Sequence, residues 1–210
     1  MASVYDFKPR FQALLRPLVG RLHQRGVSAN QVTLLAAVLS LLVAAVVGLN
    51  VQTQLWFVLI ALWPPLRMAL NAIDGMLARE HGQQTALGGY LNELCDVVSD
   101  AALFVPFALL PETGPGAVLI AMVLAIIVEY AGVMGPLVGA TRRYDGPMGK
   151  SDRALVIGIL ALVVAVGLAA SWFIAAVFWL MAALMLVSLY HRVQRGIAEV
   201  ATPGDRDERP

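Results

Sequence analysis

Six apolar stretches joined by short polar turns leave this chain little choice of fold. They cover residues 32–49, 55–78, 86–110, 117–140, 154–168 and 172–190. Crossing the hydrocarbon of a bilayer takes about 20 mostly apolar residues as a helix, and only helices or closed barrels satisfy their own backbone polar groups there. With 59% hydrophobic residues among 210, the chain carries more apolar surface than a soluble domain hides. The expectation is an all-α integral membrane protein of six transmembrane helices. The last two stretches are separated only by residues 169–171.

Charge sets the orientation, because cytoplasmic loops are enriched in Lys and Arg. With the N-terminus inside, the turns at 50–54, 111–116 and 169–171 face outward, and none contains a basic residue. Fourteen of the fifteen basic residues then fall on the inner side, and the fifteenth, Arg67, lies inside the second stretch. Both termini are expected in the cytoplasm. The net charge of +1 hides this asymmetry, which addresses anionic lipid headgroups rather than nucleic acid.

Ahead of the first stretch, Phe7, Phe11, Leu14, Leu15, Leu18 and Leu22 recur at helical spacing with Lys8, Arg10, Arg21 and Arg25 between them. This reads as an amphipathic helix in the inner interface. Ser28 is placed to cap the span that follows. The approach to the first stretch is too long for a cleaved secretion signal, so the chain is expected to remain uncleaved. A single cysteine, Cys95, excludes an intrachain disulfide. The expected organisation is an interfacial segment at 1–30, a six-helix domain at 31–191 and a cytoplasmic tail at 192–210, with 201–210 disordered.

Polar residues inside such stretches are costly, roughly 2.5 to 3.5 kcal/mol for a charge at mid-membrane, and so mark function. Arg67, Asn71, Asp74 and Ala78 share one helix face, as do Asn92, Asp96 and Asp100 on the next helix. A short turn makes the two helices antiparallel, so the stripes can face each other. Gly75, Gly88 and Gly89 leave room where they converge. Carboxylate and amide oxygens beside basic residues describe a site for a hard cation and phosphates. Neither a Walker loop nor a serine-hydrolase elbow is present.

The spacing Asn71-x2-Asp74-Gly75-x2-Ala78-Arg79-x8-Gly88-x3-Asn92-x3-Asp96 resembles the signature of the CDP-alcohol phosphotransferases, D-x2-DG-x2-AR-x8-G-x3-D-x3-D. Six of eight positions match and two are Asp-to-Asn exchanges. The run from Ser28 to Thr33 is similar to the family's Pro-Asn-x-x-Thr, with Ala29 in place of proline. The resemblance implies a bacterial inner-membrane enzyme that transfers a phosphatidyl or similar group from a CDP-linked lipid, such as CDP-diacylglycerol, to an alcohol and releases CMP. It implies Mg2+ or Mn2+ at Asp74, Asn71, Asn92 and Asp96, with Asp96 taking the proton of the acceptor hydroxyl. It further implies that Asp74, Gly75, Ala78, Arg79 and Gly88, with Asn30 and Thr33, meet the CDP moiety, and it admits a homodimer.

The two amides lower the formal charge of the motif from four negatives to two. One firmly bound ion is therefore expected, a second arriving with the substrate diphosphate, and Asp100 is a candidate to compensate. Arg67 and Glu129 read either as a buried ion pair between the second and fourth spans or, for Arg67, as support for Asn71 or a phosphate. Arg142, Arg143, Lys150, Arg153 and Arg195 form the candidate acceptor site, with Lys150 and Arg153 one turn apart and Arg192 an alternative closing residue. Together they favour a polyol phosphate over a plain polyol. Two other classes stay open: a CDP-lipid-binding pseudoenzyme partnering a lipid-synthesis enzyme, and a small transporter or lipid carrier using Arg67, Asp100 and Glu129.

Overall fold

The structure is a computed structural model that describes residues 4–111 and 114–201, with residues 4–10 described by their helix alone. It is all helical, with no strand among the described residues. The helices are α1 (Val4–Gln24), α2 (Ala29–Leu49), α3 (Val58–Glu80), α4 (Ala86–Ala108), α5 (Pro115–Met134), α6 (Lys150–Ala165) and α7 (Ser171–Ala201). A 3-10 turn, Gln54–Phe57, leads into α3, and another, Gly135–Val138, follows α5. Each of the six apolar stretches falls on one of α2 to α7. α5, which carries the fourth stretch, stops short of residue 140 because Gly135 and Pro136 break it, and α7 continues well past residue 190.

Four segments are long and apolar enough to cross a bilayer: Ala29–Leu49, Gln54–Glu80, Pro115–Val138 and Ser171–Ala201. The chain is a membrane protein. α4 is set apart from those four by Glu93, Asp96 and Asp100, and α6 by its length of 16 residues. Leu34, Leu35, Val38, Leu41 and Leu42 on α2 point away from the protein, as a lipid-facing surface requires.

Helices in lipid gain little from burying apolar surface and associate instead through close packing of small residues and hydrogen bonds. α2 follows this rule. Ala36, Ser40 and Ala44 repeat every fourth residue on its buried face, and α2 packs against both α3 and α4. Ser40 also accepts a hydrogen bond from Trp63 Nε1 of α3 at 2.9 Å. α5 uses Ala117, Ala121 and Ala125 in the same way and packs against α4 and α7, while α6 lies on α3. Phe107 meets Phe57 and Phe178 edge to face, and Phe104 meets Phe178 at a tilt, at the end of the bundle away from the 81–85 turn.

The start of α2 is fixed by side chains, as its unpaired amides demand. Ser28 caps α2 in a reciprocal box: its Oγ accepts from Gln31 N at 3.2 Å, and Gln31 Oε1 accepts from Ser28 N at 2.9 Å. The next free amide, Ala29 N, donates to Gln83 Oε1 at 2.7 Å. This ties the start of α2 to the turn between α3 and α4. α1 lies on α3 with Val19 buried and Arg16 paired to Glu80 at 3.0 Å. Phe7, Lys8 and Arg10 are outside the residues whose side chains are described, and the expected tail at 201–210 lies, after Ala201, outside the described residues altogether.

Candidate functional site

α3 and α4 present their polar stripes to each other, and side chains bridge them. Asp96 is the meeting point. It accepts from Arg67 Nη2 at 3.1 Å and from Asn71 Nδ2 at 3.2 Å, and it pairs with Lys150 at the start of α6. Asp74, one turn from Asn71, is 6% exposed and accepts from Thr33 Oγ1 of α2 at 2.8 Å. Among the described residues it has no salt-bridge partner. A buried carboxylate with no ion pair at contact distance is costly, and a cation beside it would offset that cost.

The donor set is that of a hard-cation site: the carboxylates of Asp74 and Asp96, and the amide oxygens of Asn71 and Asn92. Asn71 spends its Nδ2 on Asp96, which leaves Oδ1 for a ligand. Asn92 is half-buried one turn before Asp96 and makes no side-chain hydrogen bond among the described residues. With two amides in the motif, no cluster of three Asp, Glu, His or Cys forms among those residues. The set suits one divalent ion near Asp74.

Thr33 and Asn30 come from the first turns of α2, held by the Ser28 cap. Asn30 Oδ1 lies against Gly88, where a Cβ would stand 2.8 Å from it. Thr85 caps α4 by accepting from Gly88 N at 2.9 Å. On α3 the Arg79 guanidinium folds back over Gly75, so that a Cβ at 75 would stand 2.9 Å from its Nη2. A side chain at 75 would therefore displace the Arg79 guanidinium, and one at 88 would displace the Asn30 amide. Ala78 packs partly against the cluster of Val19, Val32 and Leu77.

Deeper in the bundle the charges pair differently from the sequence expectation. Arg67 does not reach Glu129. It faces α4, where it binds Asp100 as well as Asp96 and its backbone carbonyl. Asp100 is therefore committed to Arg67, and to Arg153 at 3.3 Å, and does not join Asp74. Glu129 on α5 faces α6 and α7 and takes Arg153 at 2.8 Å and Arg192 at 3.6 Å. Lys150 and Arg153 also part: the first turns to Asp96 and the second to Asp100 and Glu129.

The loop between α5 and α6 is strapped to α7. Asp145 accepts from Arg143 and Arg195, with salt-bridge distances of 2.8 and 2.7 Å. Burial pushes the Asp145 carboxyl up, but the hydrogen bonds from Arg195 and Arg143 outweigh it and hold it below the usual carboxylate range. Glu199 accepts from Thr141 N and Oγ1, both at 3.0 Å, and from Arg143 at 2.6 Å. Ser188 Oγ accepts from Met148 N at 3.1 Å. Gly146 has φ +113° and a Cβ there would strike Ser188. Arg142 pairs with Glu93 and lies 4.8 Å from the Tyr144 ring. Asp145 and Glu199 escaped the sequence reading, although Arg192, Arg195 and Glu199 are spaced to continue one helix face beyond the last apolar stretch.

Helical bundle, facing acidic and amide stripes, and a glycine-lined approach define a membrane transferase of one family. Residues 27–190 match the CDP-alcohol phosphatidyltransferase family, and the chain belongs to it. It is 46% identical over 164 residues, 78% of this chain and 81% of the relative, to the inner membrane protein YnbA of Escherichia coli. It is 26% identical to the phosphatidylinositol phosphate synthase of Mycobacteroides abscessus, over 95% of this chain and 90% of that one. The fold matches the crystal structure of Mycobacterium tuberculosis phosphatidylinositol phosphate synthase with CDP-DAG bound at a TM-score of 0.73. That match has 22% identity and covers 92% of this chain and 97% of the other.

Proposed function

We propose that this protein transfers a phosphatidyl group from a CDP-linked lipid, such as CDP-diacylglycerol, to an alcohol, with release of CMP and with a divalent ion, Mg2+ or Mn2+, at Asp74. The observation that carries it is the pairing across α2, α3 and α4: a buried Asp74 beside Thr33 with no salt bridge among the described residues, and Asp96 opposite on α4. Family membership and the CDP-DAG and manganese named for the mycobacterial structures support it. The protein works in the bacterial inner membrane with six spans, α2 to α7, both termini cytoplasmic and α1 in the inner interface. The motif then lies at the cytosolic side, where CDP-lipid headgroups lie.

In this reading Asn71, Asp74 and Asn92 hold the ion, aided by Asp96. The ion supplies charge neutralisation for the diphosphate. Thr33 fixes the Asp74 carboxylate, and Asn30, Gly75, Ala78, Arg79 and Gly88 shape the CDP pocket. Asp96 takes the proton from the acceptor hydroxyl as its oxygen bonds to the lipid-linked phosphorus and the bond to CMP breaks. Arg67 and Lys150 orient the Asp96 carboxylate. The names of the phosphatidylinositol phosphate synthases support a polyol phosphate as acceptor. Against it, each basic residue that would hold its phosphate, Arg142, Arg143, Lys150, Arg153 and Arg195, faces a carboxylate of this chain.

Purified protein given CDP-diacylglycerol, Mn2+ and an acceptor panel should release CMP. Asp96→Asn should abolish release while Mn2+ still binds, whereas Asp74→Asn should weaken Mn2+ binding itself. Near wild-type turnover in Asp96→Asn would remove it as the base. The amides at Asn71 and Asn92 favour a second reading, a CDP-lipid-binding pseudoenzyme. That reading holds if the native protein is silent and the double change Asn71→Asp with Asn92→Asp creates activity.

A further inference from the structure

We infer that Glu129 makes the acceptor pocket close to electroneutral, so that this chain takes an uncharged alcohol, such as a free polyol, in preference to a phosphomonoester. The inference rests on the transferase reading and names the substrate class of that same site. Seven side chains alternate in sign from the proposed base inward: Lys150, Asp96, Arg67, Asp100, Arg153, Glu129 and Arg192. Each neighbouring pair is a salt bridge. Four cations face three carboxylates, an excess of one charge, whereas a phosphomonoester brings about 1.5 to 2 negative charges at neutral pH.

The two innermost guanidinium groups have little left to offer an anion. Arg153 and Arg192 side chains are each 2% exposed, and they share Glu129. Arg192 gives Nη1 to Val128 O at 2.5 Å and Nε to Asp145 O at 3.3 Å, and its Nη2 faces Glu129. Arg153 gives Nη1 to Met148 O and Nη2 to Asp100 and Glu129. Its Nε alone is buried without a partner. The spare donation of Arg153, this Nε–H and the second N–H of Nη1, suits a hydroxyl oxygen. It does not neutralise a phosphate, which would also have to lie beside the Glu129 carboxylate in a setting where like charges repel strongly.

The remaining basic residues are more exposed than these two, and Arg142 also has an Nε without a partner, but each is paired to a carboxylate. Arg142 is paired to Glu93, Arg143 to Asp145 and Glu199, and Arg195 to Asp145. Glu129 is the residue whose loss releases two buried cations at once. It is a specificity-determining residue.

The test compares inositol and glycerol with their phosphomonoesters as acceptors, by CMP release and lipid product, in the native protein and in Glu129→Gln and Glu129→Ser. The native protein should prefer the uncharged acceptor by at least tenfold in kcat/KM, and both variants should shift that ratio toward the phosphomonoester by at least tenfold. A native preference for the phosphomonoester, or variants that fold but leave the ratio unmoved, overturns the inference while leaving the transferase reading intact. Should the variants fail to fold, the native preference still decides. No CMP release from any acceptor would instead count against the transferase reading. Calorimetric titration with glycerol phosphate then decides separately: binding to Glu129→Gln at least tenfold tighter than to the native protein upholds the inference, and equal binding overturns it.

Discussion

Thr33→Val is the sharpest probe of the metal assignment, because it removes one hydrogen bond and almost no volume. Thr33 Oγ1 lies 2.8 Å from Asp74 Oδ2 and 3.1 Å from Ala29 O. A hydroxyl has one hydrogen, and the charged acceptor at the shorter distance takes it. Both partners are buried, so no bulk water stands ready to replace the bond. A hydrogen bond to a charged group contributes about 1.5 to 3 kcal/mol, which at about 1.4 kcal/mol per tenfold is roughly a 10- to 100-fold loss of metal affinity. Loss of an outer partner of a metal ligand falls in the same range of about 10- to 100-fold. The assay is Mn2+ titration, followed both by direct binding and by CMP release at saturating CDP-diacylglycerol. Thr33→Val should need correspondingly more Mn2+, and Thr33→Ser should restore the wild-type curve. Unchanged Mn2+ binding and unchanged turnover in Thr33→Val would refute the placement of the ion at Asp74.

Two further outcomes are expected. Gly75→Ala should leave the melting temperature unchanged or slightly raised, since Ala exceeds Gly in a helix interior by about 1 kcal/mol and the group it meets is the flexible end of Arg79. It should raise KM for the CDP-lipid by roughly 10-fold or more, from loss of one charge-assisted contact; an unchanged KM would free Arg79 from the CDP site. The strap on α7 should depend on pH with a defined sign. Because the Asp145 carboxyl titrates below its ordinary value of 3.8 when folded, its contribution is complete above that value and is lost as pH falls through the lower, folded one. Hydrogen exchange of residues 139–149, corrected for intrinsic rates, should accelerate below about pH 4, and Asp145→Asn should show the faster exchange already at neutral pH.

The stretches that became α2 to α7 were legible because apolar content and length are local properties of the chain. The Ser28 cap was legible for the same reason: its partner, Gln31, is three residues away. The motif's stripes were legible because helical periodicity puts Asn71 and Asp74, or Asn92 and Asp96, on one face whatever surrounds them. Gly75 belongs here too, since the guanidinium it accommodates comes from the next turn of its own helix.

The partners of the buried charges were decided only by the tertiary structure. Arg67 and Glu129 look like mates in the sequence because both sit at membrane depth, but a salt bridge forms between faces, and depth says nothing of azimuth. Which face of α3 meets α4, and which of α5 meets α6 and α7, follows from the packing of small residues such as Ala36, Ser40 and Ala44 along the whole bundle. That rotation sends Arg67 to Asp96 and Asp100, sends Glu129 to Arg153 and Arg192, and turns Lys150 away from Arg153. The sequence alone determined that basic and acidic groups would be concentrated around this site. How much positive charge the site retains for an acceptor depends on long-range pairing, and only the folded arrangement of all six helices determines that.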